Sequence, residues 1–289
     1  MAGLDTQGPV EVQFTVQGRT LAGKRWGNVG DPPVMALHGG LDNANSFDLI
    51  VPTLPGYDLF ALDFAGHGHS DHRAADTPYL AALDVQDVIA TANHLGWERF
   101  SLLAHSMGAE VSVHLMGLYP DRIVSLFAID GYAETVSQEK WLANHRSSID
   151  ENLTKQAKPL RVFASQEDMA IKVARTTGQS VASARILVER GSRMVDAGFC
   201  WVSDPRVYWS DALAIPREQM DQFLGSFEGK VMVVGANNGF KWYWSDMDRL
   251  SAKFKHFRFV AIDGPHHLHM SDAAPELTKM ILAFFTDRS

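Results

Sequence analysis

The chain has 289 residues, the length of two average domains or of one large domain with an insertion. With 46% hydrophobic residues, 16 Phe and 7 Trp it can bury a substantial core, which excludes global disorder. Its 26 Lys and Arg are outnumbered by 34 Asp and Glu for a net charge of −8, and no basic run forms a phosphate-binding track, which argues against a nucleic-acid partner.

Met1–Val16 lacks a basic start followed by an apolar stretch, and no run of 18 apolar residues occurs anywhere. Neither a secretory leader nor membrane insertion is therefore expected, and the chain reads as a cytoplasmic protein. Val10, Val12, Phe14 and Val16 alternate with polar residues, which predicts a half-buried strand, and Gly18 allows a turn into a partner strand, Thr20–Trp26. The pattern then changes to short apolar runs separated by longer helical stretches. Val34–Leu37, Leu59–Asp63, Phe100–Ala104, Val124–Ile129, Val231–Val234 and Phe257–Ile262 read as strands. Apolar spacing at i, i+3 and i+4 predicts helices over Phe47–Leu54, Leu80–Leu95, Met107–Leu118, Ser245–Phe254 and Pro275–Phe285. Strands alternating with helices imply an α/β protein with a mostly parallel sheet.

The rhythm breaks once. Between Asp130 and Val231 lie 100 residues, far more than one crossover helix needs. An inserted, mainly helical lid over 135–225 is expected there, with 1–134 and 226–289 forming the core. Helical stretches at Ser137–Arg146, Met169–Thr176, Ser183–Gly191 and Arg217–Phe227 accompany an aromatic, turn-rich piece, Phe199–Trp209. That piece holds the single cysteine, Cys200, which excludes an internal disulfide and any cysteine-based metal cluster and fits a reducing compartment.

Leu102-Leu103-Ala104-His105-Ser106-Met107-Gly108-Ala109 carries the strongest chemical signal: a strand runs directly into a helix with a serine at the turn. Such a nucleophile elbow strains the serine backbone and needs small residues two before and two after it, here Ala104 and Gly108. The amide of Met107 at the helix N-terminus then favours developing negative charge. An N-cap serine on an ordinary helix is the bland reading. A serine hydroxyl needs a base, and Asp263-Gly264-Pro265-His266-His267-Leu268-His269-Met270-Ser271-Asp272 after the last predicted strand offers three histidines for that role. The same loop is a metal candidate, but His266 and His269 have no carboxylate or cysteine at ligand spacing.

A carboxylate must hold the imidazole, and Asp130, at the end of the Val124–Ile129 strand, satisfies the chain order Ser, Asp, His. Asp246 and Asp248 are its alternatives, and a turn aspartate before Gly131 is the structural reading. Leu37-His38-Gly39-Gly40-Leu41-Asp42 can supply a second oxyanion amide, from Gly40 or else from Leu41. His38 reads as a structural histidine, and Asp63-Phe64-Ala65-Gly66-His67-Gly68-His69-Ser70 as a tight architectural connection.

Leu-His-Gly-Gly, Asp-Phe-Ala-Gly-His-Gly-His-Ser, Ala-His-Ser-Met-Gly and Pro-His-His-Leu-His-Met together resemble the α/β-hydrolase superfamily over nearly the whole chain. Within it, His38–Phe47, Ser203-Asp204-Pro205-Arg206 and Pro265–Asp272 are similar to the serine hydrolase-like proteins. The resemblance implies an eight-stranded, mostly parallel sheet, and it makes His266 the base, with His269 second in a His-x-x-His arrangement. Many members carry the acid about 28 residues before that histidine, which falls here on Asn238 in Gly235–Gly239. An amide cannot serve as the charged partner, which favours Asp130. Relatives with an aspartate nucleophile include dehalogenases and epoxide hydrolases, and Ser106 argues against both.

The expected activity is hydrolysis of a small-molecule carboxylic ester, thioester or lactone through an acyl-enzyme on Ser106, with no metal or organic cofactor, in a monomer or a homodimer. Leu41, His105, Trp201, Trp209, Phe240 and Trp242 are candidate substrate-binding residues, and Phe199, Tyr208, Tyr243 and Trp244 could join an apolar pocket. Cofactor-free oxygen or carbon–carbon bond chemistry driven by the histidine base, and ligand binding with weak turnover, are the competing readings.

Overall fold

The computed structural model describes residues 8–133, 137–154, 160–208 and 216–287. The opening pair, β1 (Val10–Val16) and β2 (Arg19–Trp26), is an antiparallel hairpin with Val16 opposite Arg19. Its half-exposed β1 follows the alternating pattern of its sequence, as an edge strand should. The inner strands are β3 (Pro33–Leu37), β4 (Asp58–Asp63), β5 (Phe100–His105) and β6 (Ile123–Ile129). They are continuous apolar runs because a parallel sheet is covered on both faces, and every residue of β4 is buried. After a two-stranded hairpin of β7 (Ser192–Val195) and β8 (Gly198–Trp201) come β9 (Lys230–Asn238) and β10 (Phe257–Pro265).

The large sheet has eight strands in the order β1-β2-β4-β3-β5-β6-β9-β10, parallel from β4 through β10. On one face lies a core shared by α1 (Ala81–His94), α2 (Met107–Leu118), α6 (Arg217–Leu224) and α7 (Met247–Ser251), with Val88, Leu115, Leu224 and Leu250 buried. The other face is closed by α8 (Ala274–Thr286) through Leu277 and Ile281 and by the turns around Phe47 and Ile50. The helix predicted over Phe47–Leu54 is instead two 3-10 turns, Ala44–Phe47 and Val51–Thr53, because Pro52 has no amide to continue an α-helix. Ser245–Phe254 likewise resolves into a 3-10 turn and the five-residue α7. Among the described residues, no helix is long and apolar enough to cross a membrane.

The segment that follows β6 contains α3 (Gln138–Thr154), α4 (Gln166–Thr177), α5 (Val181–Gly191) and the β7–β8 hairpin. Phe163, Met169, Ala170, Ala184 and Val188 form its own small core, and Phe163 and Phe199 exchange both backbone hydrogen bonds at 2.8 Å. Buried polar contacts dock it on the sheet edge. Arg190 of α5 reaches Asp63 at 2.7 Å and Glu11 at 2.7 Å, and Asn43 and Asn45 donate to the Leu187 and Ile186 carbonyls. Asp204 and Arg206 clasp the loop after β4: Arg206 donates to the carbonyls of Arg73 and Ala74, and Asp204 accepts from Tyr79.

Register fixes where the loops meet. Leu37 pairs with Ala104, His105 with Ile129 and Ile129 with Val234, so β3, β5 and β6 end nearly level with one another while β9 runs on past them to Asn238. The chain winds from β3 toward β4 and from β5 toward β6, which puts a topological switch between β3 and β5 at this carboxyl edge.

Candidate active site

Ser106 stands between β5 and α2 with φ 51° and ψ −116°, a conformation that a side chain rarely adopts. Close packing holds it there. A Cβ on Gly108 would lie 2.1 Å from the carbonyl oxygen of Leu37, and one on Gly131 would lie 2.7 Å from the Ser106 Cα. Gly108 thus lets the start of α2 rest on the end of β3, and this brings the Met107 amide to the same cavity as Gly40. Leu41, also at positive φ, donates its amide to His67 Nε2 at 3.2 Å, whereas Gly40 lines the cavity.

Asp130 ends β6 with φ 39° and only 1% exposure. Four donors converge on its carboxylate. The Ala236 amide (3.0 Å) and the Tyr243 hydroxyl (2.7 Å) bind Oδ1, while the Phe240 amide (3.2 Å) and His266 Nδ1 (2.7 Å) bind Oδ2. Gly239 makes room for it, since a Cβ there would fall 2.0 Å from Oδ2. Burial by itself would raise the Asp130 carboxyl, but the bonds from His266, Ala236 and Tyr243 outweigh it and hold the group below its ordinary value. Burial and the adjacent carboxylate push the Tyr243 phenol up, so it remains a proton donor. Because a carboxylate only accepts, His266 carries its proton on Nδ1 and keeps the Nε2 lone pair free for a base.

Ser106, Asp130 and His266 line one cavity of about 510 Å³ together with Gly40, Met107 and His105. Phe240 and Trp242, each about half exposed at 53%, form its apolar rim, and the Phe240 ring lies 4.3 Å from that of His266. Thr176 and Thr177 reach the cavity from the end of α4, so the segment after β6 contributes to its wall. Leu41 and Trp201 do not line this cavity: Leu41 points to the surface at 38% exposure, and Trp201 packs over Gly191 in the small core. Trp209 lies outside the described residues. Asn238 lines the cavity, whereas Asp246 turns away to Arg217 and Arg249, each at 3.5 Å.

The other histidines divide by their partners. His38 donates from Nδ1 to the Gly39 carbonyl and accepts the Phe64 amide at Nε2 (2.7 and 3.1 Å), and His67 bonds Ala65 and Leu41 in the same way. Burial lowers both, His67 to about 3, so both are neutral struts of the loops after β3 and β4. His269 is 2.7 Å from Ser46 Oγ and anchors the histidine loop. Two features escaped the sequence reading. Tyr243 counted there only as an aromatic, and Asp42 went unnoticed as the carboxylate that meets His267, 225 positions away.

Comparison with known proteins finds relatives along most of the chain. The model of the α/β-hydrolase fold family matches residues 32–179. A serine hydrolase-like protein of Danio rerio is 31% identical over 95% of this chain and 87% of its own length. A hypothetical protein of Pseudomonas aeruginosa PAO1, known from its crystal structure, is 37% identical with a TM-score of 0.88, over 96% of this chain and 99% of that one. An esterase of Mycobacterium tuberculosis is 26% identical over 95% of this chain and 89% of its own length. The chain belongs to the α/β-hydrolase fold family and is a hydrolase of that fold.

Proposed function

We propose that the chain cleaves carboxylic esters of small or medium apolar acyl groups, thioesters and lactones included, through an acyl-enzyme on Ser106. The observation that carries this reading is the 2.7 Å contact between His266 Nδ1 and Asp130 at the cavity that Ser106 enters from a strained elbow. In this mechanism His266 Nε2 takes the Ser106 proton as the hydroxyl oxygen attacks the ester carbonyl carbon. Asp130 steadies the imidazolium so formed. The amides of Met107 and Gly40 stabilise the oxyanion, a contribution worth roughly 2.7–4 kcal/mol per donor in comparable sites.

His266 then protonates the departing alkoxide, and the same imidazole activates water to release the acid. Nothing in this cycle calls for a metal or cofactor. The segment 135–225 acts as a cap, with Thr176 and Thr177 closing the cavity over the ester and Phe240 and Trp242 receiving its apolar part. A cavity of about 510 Å³ lies within the range that small-molecule sites occupy and favours short and medium acyl chains. The test is hydrolysis of p-nitrophenyl esters of increasing chain length by the native protein and by Ser106→Ala. Turnover that is lost in the variant supports the reading. Turnover retained by Ser106→Ala would shift the chemistry to the histidine base alone.

A further inference from the structure

Directly behind the candidate triad, two loops and the last residue of β5 bring together Asp42, His105 and His267, which are 6%, 1% and 4% exposed. One ligand atom from each lies within 4.8 Å of the others. His105 Nδ1 is 3.3 Å from Asp42 Oδ2, and His267 Nε2 is 3.2 Å from both carboxylate oxygens. A tetrahedral ion with bonds of about 2.0–2.1 Å sets its donors at about this separation.

Proton accounting singles out the contact between His105 and Asp42. His105 Nε2 is 3.2 Å from the His266 carbonyl oxygen, which can only accept, so this nitrogen carries the proton. In the neutral ring Nδ1 is then left with a lone pair. That lone pair faces a carboxylate oxygen, another acceptor, and His105 Nδ1 has no hydrogen-bond partner among the described residues. Two buried acceptors in contact favour a cation between them. Space for one is preserved by Gly39, whose Cβ would sit 2.7 Å from His105 Nδ1 and 3.1 Å from Asp42 Oδ2. His105 and His267 both border the main cavity, which gives an ion a way in.

We infer that Asp42, His105 and His267 form a binding site for a divalent transition-metal ion such as zinc, placed so that the bound ion suppresses the chemistry at His266. Two imidazoles and one carboxylate are a zinc-type donor set that leaves a fourth position open, and His267 Nε2 releases to solvent the proton it directs at Asp42 as the ion binds. The His105 ring centroid is 4.6 Å from that of His266, so a dication held by His105 opposes the positive charge that His266 must gain as a base. Binding itself does not depend on what the site hydrolyses.

The test uses the full chain after chelator treatment, titrated with zinc against a chromogenic chelator, with magnesium as control. One zinc per chain is expected, with a dissociation constant on the order of micromolar or tighter, and no response to magnesium. Asp42→Asn and His267→Gln, checked for folding by thermal melts, should each weaken binding roughly tenfold or more. Because either variant could fail to fold, anomalous scattering from zinc-soaked crystals of the unaltered chain provides a second measurement, with a peak expected between the three side chains. Zinc should also slow the reaction of Ser106 with a fluorophosphonate, and chelator should restore it. No stoichiometric binding, a peak elsewhere, or binding unchanged in folded variants would overturn the inference.

Discussion

Asp130→Asn is the perturbation whose consequences the geometry determines most fully. Four donors meet the carboxylate, two on each oxygen. An amide accepts on one oxygen only, so whichever way it is placed its NH2 group faces two donors. If that group faces His266, the ring loses the acceptor that fixes its Nδ1 proton. In either placement the charge opposite the imidazolium disappears. At an effective dielectric constant of about 20, opposite unit charges about 4 Å apart attract by about 4 kcal/mol, on the order of a thousandfold in rate. Loss of the correct tautomer extends the expected drop toward about ten-thousandfold in kcat. Two buried donors left facing an NH2 group also cost about 1–3 kcal/mol each in stability. The assay is kcat/KM on a p-nitrophenyl ester beside a thermal melt, with Asp246→Asn and Asp248→Asn as controls expected to remain near the unaltered rate. If Asp130→Asn stays within roughly tenfold of the unaltered protein while an Asp246 or Asp248 variant is dead, the assignment of the acid is wrong.

Gly108→Ala drives a Cβ into the Leu37 carbonyl at 2.1 Å, so the start of α2 must shift. A loss of about 1–3 kcal/mol in unfolding free energy is expected together with a fall in kcat, and a variant as active and stable as the parent would contradict the elbow packing. Arg190→Met leaves Asp63 buried without its cationic partner, and denaturant unfolding should register a loss of about 3–5 kcal/mol; no loss would mean that this pair does not secure the segment after β6. Acid should destabilise the fold well above the carboxylate range. His67 has its proton affinity lowered in the folded state, chiefly by burial and then by His38. The unfolded chain therefore binds more protons below about pH 6.5, and stability present above that pH is lost as pH falls toward about 3, at about 1.4 kcal/mol per pH unit per histidine. His67→Gln should reduce the slope of unfolding free energy between pH 6 and 5 by up to one proton, and an unchanged slope would place the acid sensitivity elsewhere.

Much of the architecture was legible because its physics is local. Val10–Val16 alternates with period two and forms a half-exposed edge strand, while Leu59–Leu62 is unbroken by polar residues and is buried on both faces. The elbow could be read from Ala104, Ser106 and Gly108 alone, since the small residues that the turn requires sit beside the serine in sequence. What the sequence concealed depends on distant chain segments meeting. Phe47–Leu54 has helical spacing, yet Pro52 divides it into two short turns. Trp201 matched the composition of a pocket aromatic, but its hairpin turns it into the small core over Gly191. Tyr243 gave no sign of its partner, because the hydroxyl meets Asp130 across 113 positions. Asp42 and His267 are separated by 225, so no ligand spacing along the chain could pair them.

The most direct test of the account is reaction with a serine-directed fluorophosphonate, followed by intact mass and peptide mapping, on the native chain, Ser106→Ala and His266→Ala. The account predicts one adduct per chain on the Ser106 peptide, absent from Ser106→Ala and strongly slowed in His266→Ala. An adduct on another residue, or a folded native chain that takes no label and turns over no ester, would contradict it.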